Sequence, residues 1–295
     1  MMNVIAYFQA YRFTHFSSRD EEKTKDGRQL SSGEKIKTLL FGIKNPRPEN
    51  RKLPERPFDR ITLKSNKEIS CWLMRTDSSA KGTVILCHGY SGEKSSMLDR
   101  AYLFLDAGYN VLLFDFMGSG GSEGVQTTLG FHEAKQVKTV YDYLWQKGER
   151  KFILMGTSMG AVAIMKAQQD YQFKGCSLIL ECPFGRMLKT VKARFSNLHV
   201  PSFPMSELLV FWGGAQNQFN AFEHNPEKYA CKINCPVLLM IGEQDEKVSM
   251  EETQIIDTNL KGPKTLVTYP LAGHENYLNQ YKYQWYTEVL KFLKH

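Results

Sequence analysis

Lys151 to Ala163 reads K-F-I-L-M-G-T-S-M-G-A-V-A. An apolar run, Phe152 to Met155, meets Gly156-Thr157-Ser158-Met159-Gly160, and a small-residue helical pattern follows. The pattern G-x-S-x-G between a strand and a helix is that of a nucleophile elbow. Such a turn forces Ser158 into a strained backbone conformation, with glycines on either side where a side chain would collide. The Ser158 hydroxyl then stands at the carboxyl end of the strand. The amide of Met159 opens the following helix and points at the same spot, where it can stabilise a developing negative charge. The pentapeptide alone is common, and the plain alternative is a serine in an ordinary strand-to-helix turn.

Further unbroken apolar runs lie on both sides of this one: Thr83 to Cys87, Asn110 to Phe116, Cys176 to Leu180, Val237 to Ile241 and Thr265 to Tyr269. Unbroken runs suit strands covered on both faces, as in a parallel sheet. Helix-like stretches separate them: Ser95 to Ala107, Phe131 to Lys147, Ala161 to Gln169, Met250 to Thr258 and Gln284 to Leu293. Ahead of them, Arg60 to Leu63 and Ile69 to Met74 alternate around Ser65-Asn66-Lys67, an antiparallel hairpin signature. The fold class is α/β, with a mainly parallel sheet and an antiparallel start. The rhythm breaks once, between Leu180 and Val237. There Met187 to Leu198 and Met205 to Phe211 have helical spacing, which predicts a small cap over residues 185–230, or an edge subdomain with no ligand role.

The 295 residues have room for one large domain, and 42% hydrophobic with 23% charged residues is a globular composition. The net charge of +7 is spread along the chain, whereas a nucleic-acid binder would cluster it. Asn45 to Pro57 holds four prolines and reads as an extended strap, so residues 1–57 form an extension and the main domain starts at Phe58. Ser17 to Lys37 is polar with little periodicity. Met1 to Phe16 is aromatic and lacks the basic leader of a signal peptide. It reads as a helix packed on the domain, or as a peripheral membrane contact. Cys231 and Cys235 stand four apart, so a disulfide between them stays open. No C-x-x-C pair or His-rich cluster suggests a metal.

A serine hydroxyl needs a base, and the base needs an orienting carboxylate. His274, in Leu271-Ala272-Gly273-His274-Glu275-Asn276, follows the last strand run. His15 and His295 are terminal, His132 lies on a helical pattern, His199 and His224 fall in the insertion, and His88 belongs to a turn of its own. Asp245 follows the Val237 to Ile241 run, with Glu181 and Glu243 as rival carboxylates. A second backbone donor for an oxyanion would be the amide of Tyr90 in Cys87-His88-Gly89-Tyr90-Ser91-Gly92, its side chain free to line a pocket. The glycine-rich loop Asp115 to Ser122 carries neither a Walker lysine nor G-x-G-x-x-G, so a phosphate cradle is not expected.

Together, H-G-Y at 88–90, D-F-M-G-S-G-G-S at 115–122, G-T-S-M-G at 156–160, G-E-Q-D at 242–245 and G-H-E-N at 273–276 form an ordered set. The set resembles the α/β-hydrolases, in the serine-hydrolase branch with monoglyceride-lipase-like and serine-aminopeptidase-like members. The resemblance runs from Phe58 to the C-terminus. It implies an eight-stranded, mostly parallel sheet and hydrolysis through an acyl-enzyme. It also implies Ser158 as nucleophile, Asp245 as acid, His274 as base, and the amides of Tyr90 and Met159 as oxyanion donors. Relatives carry an arginine where this chain has Met117, which puts the local salt-bridge pattern in question.

The expected activity is hydrolysis of a small-molecule carboxylic ester or acyl substrate, with no metal or organic cofactor and no nucleic-acid partner. A peptidase, thioesterase or acyltransferase would use the same three residues, and a non-catalytic ligand-binding protein would keep the fold without the chemistry.

Overall fold

Every unbroken apolar run becomes a strand of one sheet. The computed structural model describes residues 1–18, 20–24, 31–77, 79–198 and 200–294. Its strands are β1 (Phe58–Lys64), β2 (Glu68–Met74), β3 (Thr83–Cys87), β4 (Asn110–Phe114), β5 (Phe152–Thr157), β6 (Cys176–Glu181), β7 (Val237–Gly242) and β8 (Lys264–Tyr269). They lie in the order β1-β2-β4-β3-β5-β6-β7-β8. β1 with β2 and β2 with β4 are antiparallel, and every later pairing is parallel.

Period-two alternation assigns each strand residue to a face. Ile85, Leu154 and Leu239 face one core, whereas Leu86, Met155 and Met240 face the other. The helices are α1 (Met2–Thr14), α2 (Ser32–Phe41), α3 (Leu98–Asp106), α4 (Glu133–Gln146), α5 (Met159–Tyr171), α6 (Met187–Leu198), α7 (Met205–Gln216), α8 (Pro226–Ala230), α9 (Met250–Asn259), α10 (Tyr277–Gln280) and α11 (Lys282–Phe292). Val137 and Val140 of α4, Ile164 of α5 and Ile256 of α9 cover the first face. Phe104 of α3, Trp285 and Val289 of α11, and Met187 and Val210 from the segment between β6 and β7 cover the second. Both faces are therefore dry, which is why these strands need no polar residues.

The N-terminal extension departs from its sequence reading. The stretch read as polar and aperiodic holds the first part of α2, whose start is fixed by a capping box: Ser31 accepts from the Glu34 amide, and Glu34 accepts from the Ser31 amide. Helix α1 packs on α7, where Trp212 donates to Asn3 at 3.3 Å and Gln216 donates to the Tyr7 carbonyl at 2.8 Å. No described helix is long and apolar enough to cross a membrane.

Candidate active site

Ser158 sits between β5 and α5 at φ 49°, ψ −113°, a conformation costly for any residue with a Cβ. Two glycines permit it. A Cβ at Gly160 would lie 2.2 Å from the Cys87 carbonyl oxygen, and one at Gly156 would lie 2.5 Å from the Ala161 amide nitrogen. The Ser158 amide is held by the Glu181 carbonyl at 2.8 Å. Met159 is the first residue of α5, so its amide has no carbonyl within the helix to meet.

The loops after β7 and β8 bring two more side chains to this point. His274 Nε2 lies 3.0 Å from Ser158 Oγ, and His274 Nδ1 lies 2.7 Å from Asp245 Oδ2. A carboxylate can only accept, so Nδ1 carries the proton and Nε2 is left to receive one from serine. Asp245 is fixed in turn, since its Oδ1 accepts from the amides of Lys247 at 2.8 Å and Val248 at 3.0 Å. Of the rival carboxylates, Glu181 is buried and accepts from Arg100 at 2.7 Å and Trp285 at 2.6 Å, while Glu243 is exposed.

Arg100 also contacts Asp99 at 3.3 Å, and Asp99 accepts from Asn276 at 2.7 Å. That chain ties the His274 loop to α3. Sequence reading missed it, because nothing local to Asn276 points to a partner 177 residues away.

Cys182, one residue past β6, adds a thiol. Its sulfur, an Asp245 oxygen and a His274 nitrogen lie within 4.8 Å of one another. Such a trio could hold a soft cation, although the His274–Asp245 hydrogen bond already engages two of the three. Burial works against the imidazolium form of His274. The neighbouring Cys182 and the hydrogen bond to Asp245 work for it and prevail, so the His274 pKa is raised above its ordinary value.

The turn after β3 abuts the same point, because a Cβ at Gly89 would lie 3.8 Å from Ser158 Cβ. His88 stiffens it: Nδ1 meets the Gly89 carbonyl at 2.8 Å, and Nε2 accepts the Phe116 amide at 3.0 Å. The Tyr90 side chain does line the cavity, but it is not free. Its ring stacks on Phe13 at 4.8 Å, its hydroxyl donates to the Phe13 carbonyl at 2.7 Å, and it accepts from Asn45 at 2.8 Å.

The missing arginine at Met117 has a structural answer. Met117 is buried, and Asp115 pairs instead with the buried Lys94. Arg47 of the proline-rich strap donates to the carbonyls of Gly120 at 2.9 Å and Gly124 at 3.2 Å, and to that of Ser122. A guanidinium from the extension thus closes the glycine-rich loop.

The other described histidines serve the framework. His132 meets the Asn217 carbonyl at 2.9 Å, buried His224 meets the Leu129 carbonyl at 3.0 Å, and His15 meets the Tyr11 carbonyl at 3.2 Å. His199 and His295 lie outside the described residues. Cys231 and Cys235 are both free, and the Cys176 thiol donates to the Phe173 carbonyl at 3.5 Å.

Ser158, His274, Gly89 and Tyr90 line a cavity of about 460 Å³, closed on the far side by α6 and by Phe13. A second cavity of about 160 Å³, mostly apolar, lies between α1 and the segment following β6. The two share Phe13, Leu129, Met187, Val191 and Arg194.

Comparison with known proteins identifies the family. The family model described as serine aminopeptidase, S33, matches residues 78–230, just over half of the chain. The YqkD protein of Bacillus subtilis (strain 168), itself uncharacterized, is 27% identical over 215 residues, covering 72% of this chain and 70% of that one. A lysophosphatidylserine lipase of Danio rerio is 25% identical over 225 residues, covering 72% of this chain and 53% of the lipase. Among solved structures, the Pyrococcus furiosus esterase Pf2001 superposes with a TM-score of 0.70 at 24% identity, over 84% of this chain and 96% of that one. With the sheet order and the Ser158 turn already described, the match places the chain in the serine aminopeptidase S33 family, and so among the hydrolases of the α/β-hydrolase superfamily.

Proposed function

We propose that this hydrolase cleaves carboxylic esters through an acyl-enzyme, with Ser158, His274 and Asp245 as a catalytic triad. The observation that carries the reading is the continuous hydrogen-bond line from Ser158 Oγ to His274 (3.0 Å) to Asp245 (2.7 Å), at the wall of a cavity. Ser158 Oγ attacks the ester carbonyl while His274 Nε2 takes its proton. The oxyanion forms beside the amides of Met159 and Tyr90. His274 returns the proton to the leaving alkoxide, which departs as the alcohol. A water molecule, deprotonated by His274, then attacks the acyl-enzyme and releases the acid and free Ser158. The adjoining apolar cavity suits the acyl group.

An aminopeptidase would have to hold a substrate ammonium, which calls for an unengaged carboxylate. The carboxylates nearest the cavity are committed: Asp245 to His274, Glu181 to Arg100 and Trp285, and Glu275 to the Gly273 amide and Gln280. Lys247 and Arg194 line the cavity with positive charge. That distribution favours an ester over a peptide with a free amino terminus.

The test is Ser158→Ala, assayed on short p-nitrophenyl esters and by fluorophosphonate labelling. We expect turnover to fall by about 10⁴-fold or more and labelling to vanish, with thermal unfolding unchanged. Retained turnover in that variant would remove the mechanism. An unlabelled wild type would favour the ligand-binding alternative.

We also propose a peripheral membrane contact through α1. Met2, Val4, Tyr7, Phe8 and Tyr11 are exposed along it, beside the exposed Phe211 of α7.

A further inference from the structure

We infer that the cavity beside Ser158 contains an anion-binding subsite centred on Arg194, so that the preferred substrate is an ester carrying a carboxylate or phosphate. The inference rests on the ester-hydrolase reading and adds the substrate class.

Helix α6 turns one face to the cavity: Met187, Thr190, Val191 and Arg194 recur at helical spacing. Arg194 is the charged member of that set. Lys189 and Lys192, on other faces of the same helix, find Glu251 at 3.3 Å and Glu207 at 2.8 Å. Arg100, which shares the cavity, has Glu181 at 2.7 Å and Asp99 at 3.3 Å. Among the described residues, no carboxylate or hydrogen-bond acceptor meets the Arg194 guanidinium. Its contact is the face of Phe13, 3.9 Å from the ring centroid.

Arg194 is an exposed side chain on the cavity lining, so a ligand can reach its guanidinium. A planar fork of N–H donors with no partner fits an oxyanion that accepts two parallel hydrogen bonds.

The rim has the same sign. Lys247 lines the cavity. Lys23 donates to Ser91 at 3.1 Å, and its pKa is lowered by loss of water first and then by Lys247 and Arg51, against the opposing pull of Glu93. Lys247 and Arg51 repel it, and an incoming anion would ease that repulsion. The carboxylate at the rim, Glu275, is turned to the Gly273 amide at 3.2 Å and to Gln280 at 3.1 Å.

The experiment compares kcat/KM for three esters of one acyl group: a neutral glycerol ester, a carboxylate-bearing ester and a phosphate-bearing ester. In the wild type we expect an anionic ester to be preferred. In Arg194→Gln the anionic-to-neutral ratio should fall by about 10- to 100-fold, with Arg194→Lys recovering part of it. The two anionic arms decide between carboxylate and phosphate. A ratio unchanged in Arg194→Gln, or a wild type that prefers the neutral ester, overturns the subsite. If the wild type hydrolyses none of the three, the ester reading fails by itself. The subsite is then judged by calorimetric titration of wild type and Arg194→Gln with dodecyl phosphate and dodecanoate. Equal affinity in both proteins, or binding to neither, rejects it, and loss of binding in the variant upholds it.

Discussion

The hydroxyl of Tyr90 donates a hydrogen bond to the backbone carbonyl of Phe13, 2.7 Å away. This bond joins the first helix of the chain to the turn whose amide is proposed to hold the oxyanion. Tyr90 also accepts from Asn45, and its ring stacks on Phe13. The extension thus braces a turn more than seventy residues away in sequence.

Tyr90→Phe keeps the ring and removes both hydrogen bonds, leaving the Phe13 carbonyl without this donor. We expect a stability loss of about 1–2 kcal/mol in urea unfolding. We also expect kcat/KM on a neutral ester to drop by about 10-fold as the Tyr90 amide loses its fixed position. A variant that loses stability at full kcat/KM would show that the bond braces the extension alone.

The parts legible in the sequence are those with a local signal. Ser158, Asp245 and His274 each stand in a polar turn directly after an apolar run, so their approach at one sheet edge follows from strand order. The helix α2 had such a signal in Ser31-Ser32-Gly33-Glu34 and Ser249 to Glu252 repeats it at α9, but the first lies in a stretch whose polar composition hides it. Arg47 had none. It recognises backbone carbonyls more than seventy residues away, and a carbonyl carries no residue identity. Phe13 and Arg194 likewise enter the cavity only because α1 and α6 pack over it, which neither periodicity nor spacing encodes.

The raised pKa of His274 sets the sign of the pH dependence. The base must be neutral to accept the serine proton, so kcat/KM on an uncharged ester should rise with pH and level off above the His274 pKa. That midpoint should lie above the ordinary imidazole value of 6.5. Burial alone would push it the other way, and Cys182 is the leading influence that raises it. Cys182→Ala should therefore move the ascending limb to lower pH. A wild-type limb below 6.5, or a limb that stays put in Cys182→Ala, would show that the thiol does not tune the base.

Helix α1 makes the last prediction, because it has two working sides. Ala6, Ala10 and Thr14 are buried against the protein, and Gln9, Ala10, Phe13 and Thr14 line the apolar cavity. Outward, Val4 is 60% exposed and Phe8 56%, with Phe211 of α7 at 52% continuing the patch. Side chains of that size left in water lose about 1.5–3 kcal/mol each relative to burial, so a lipid interface would draw them in. It would also set the apolar cavity beside the hydrocarbon. We expect the protein to cosediment with phosphatidylglycerol–phosphatidylcholine vesicles. Val4→Asp combined with Phe8→Asp should weaken that binding by more than about 10-fold while sparing turnover of a water-soluble ester. The net charge of +7 adds attraction to anionic lipid, so raising the salt should weaken binding without abolishing it. Complete loss in salt would leave only a diffuse charge effect, and equal sedimentation of the double variant would take α1 out of the contact.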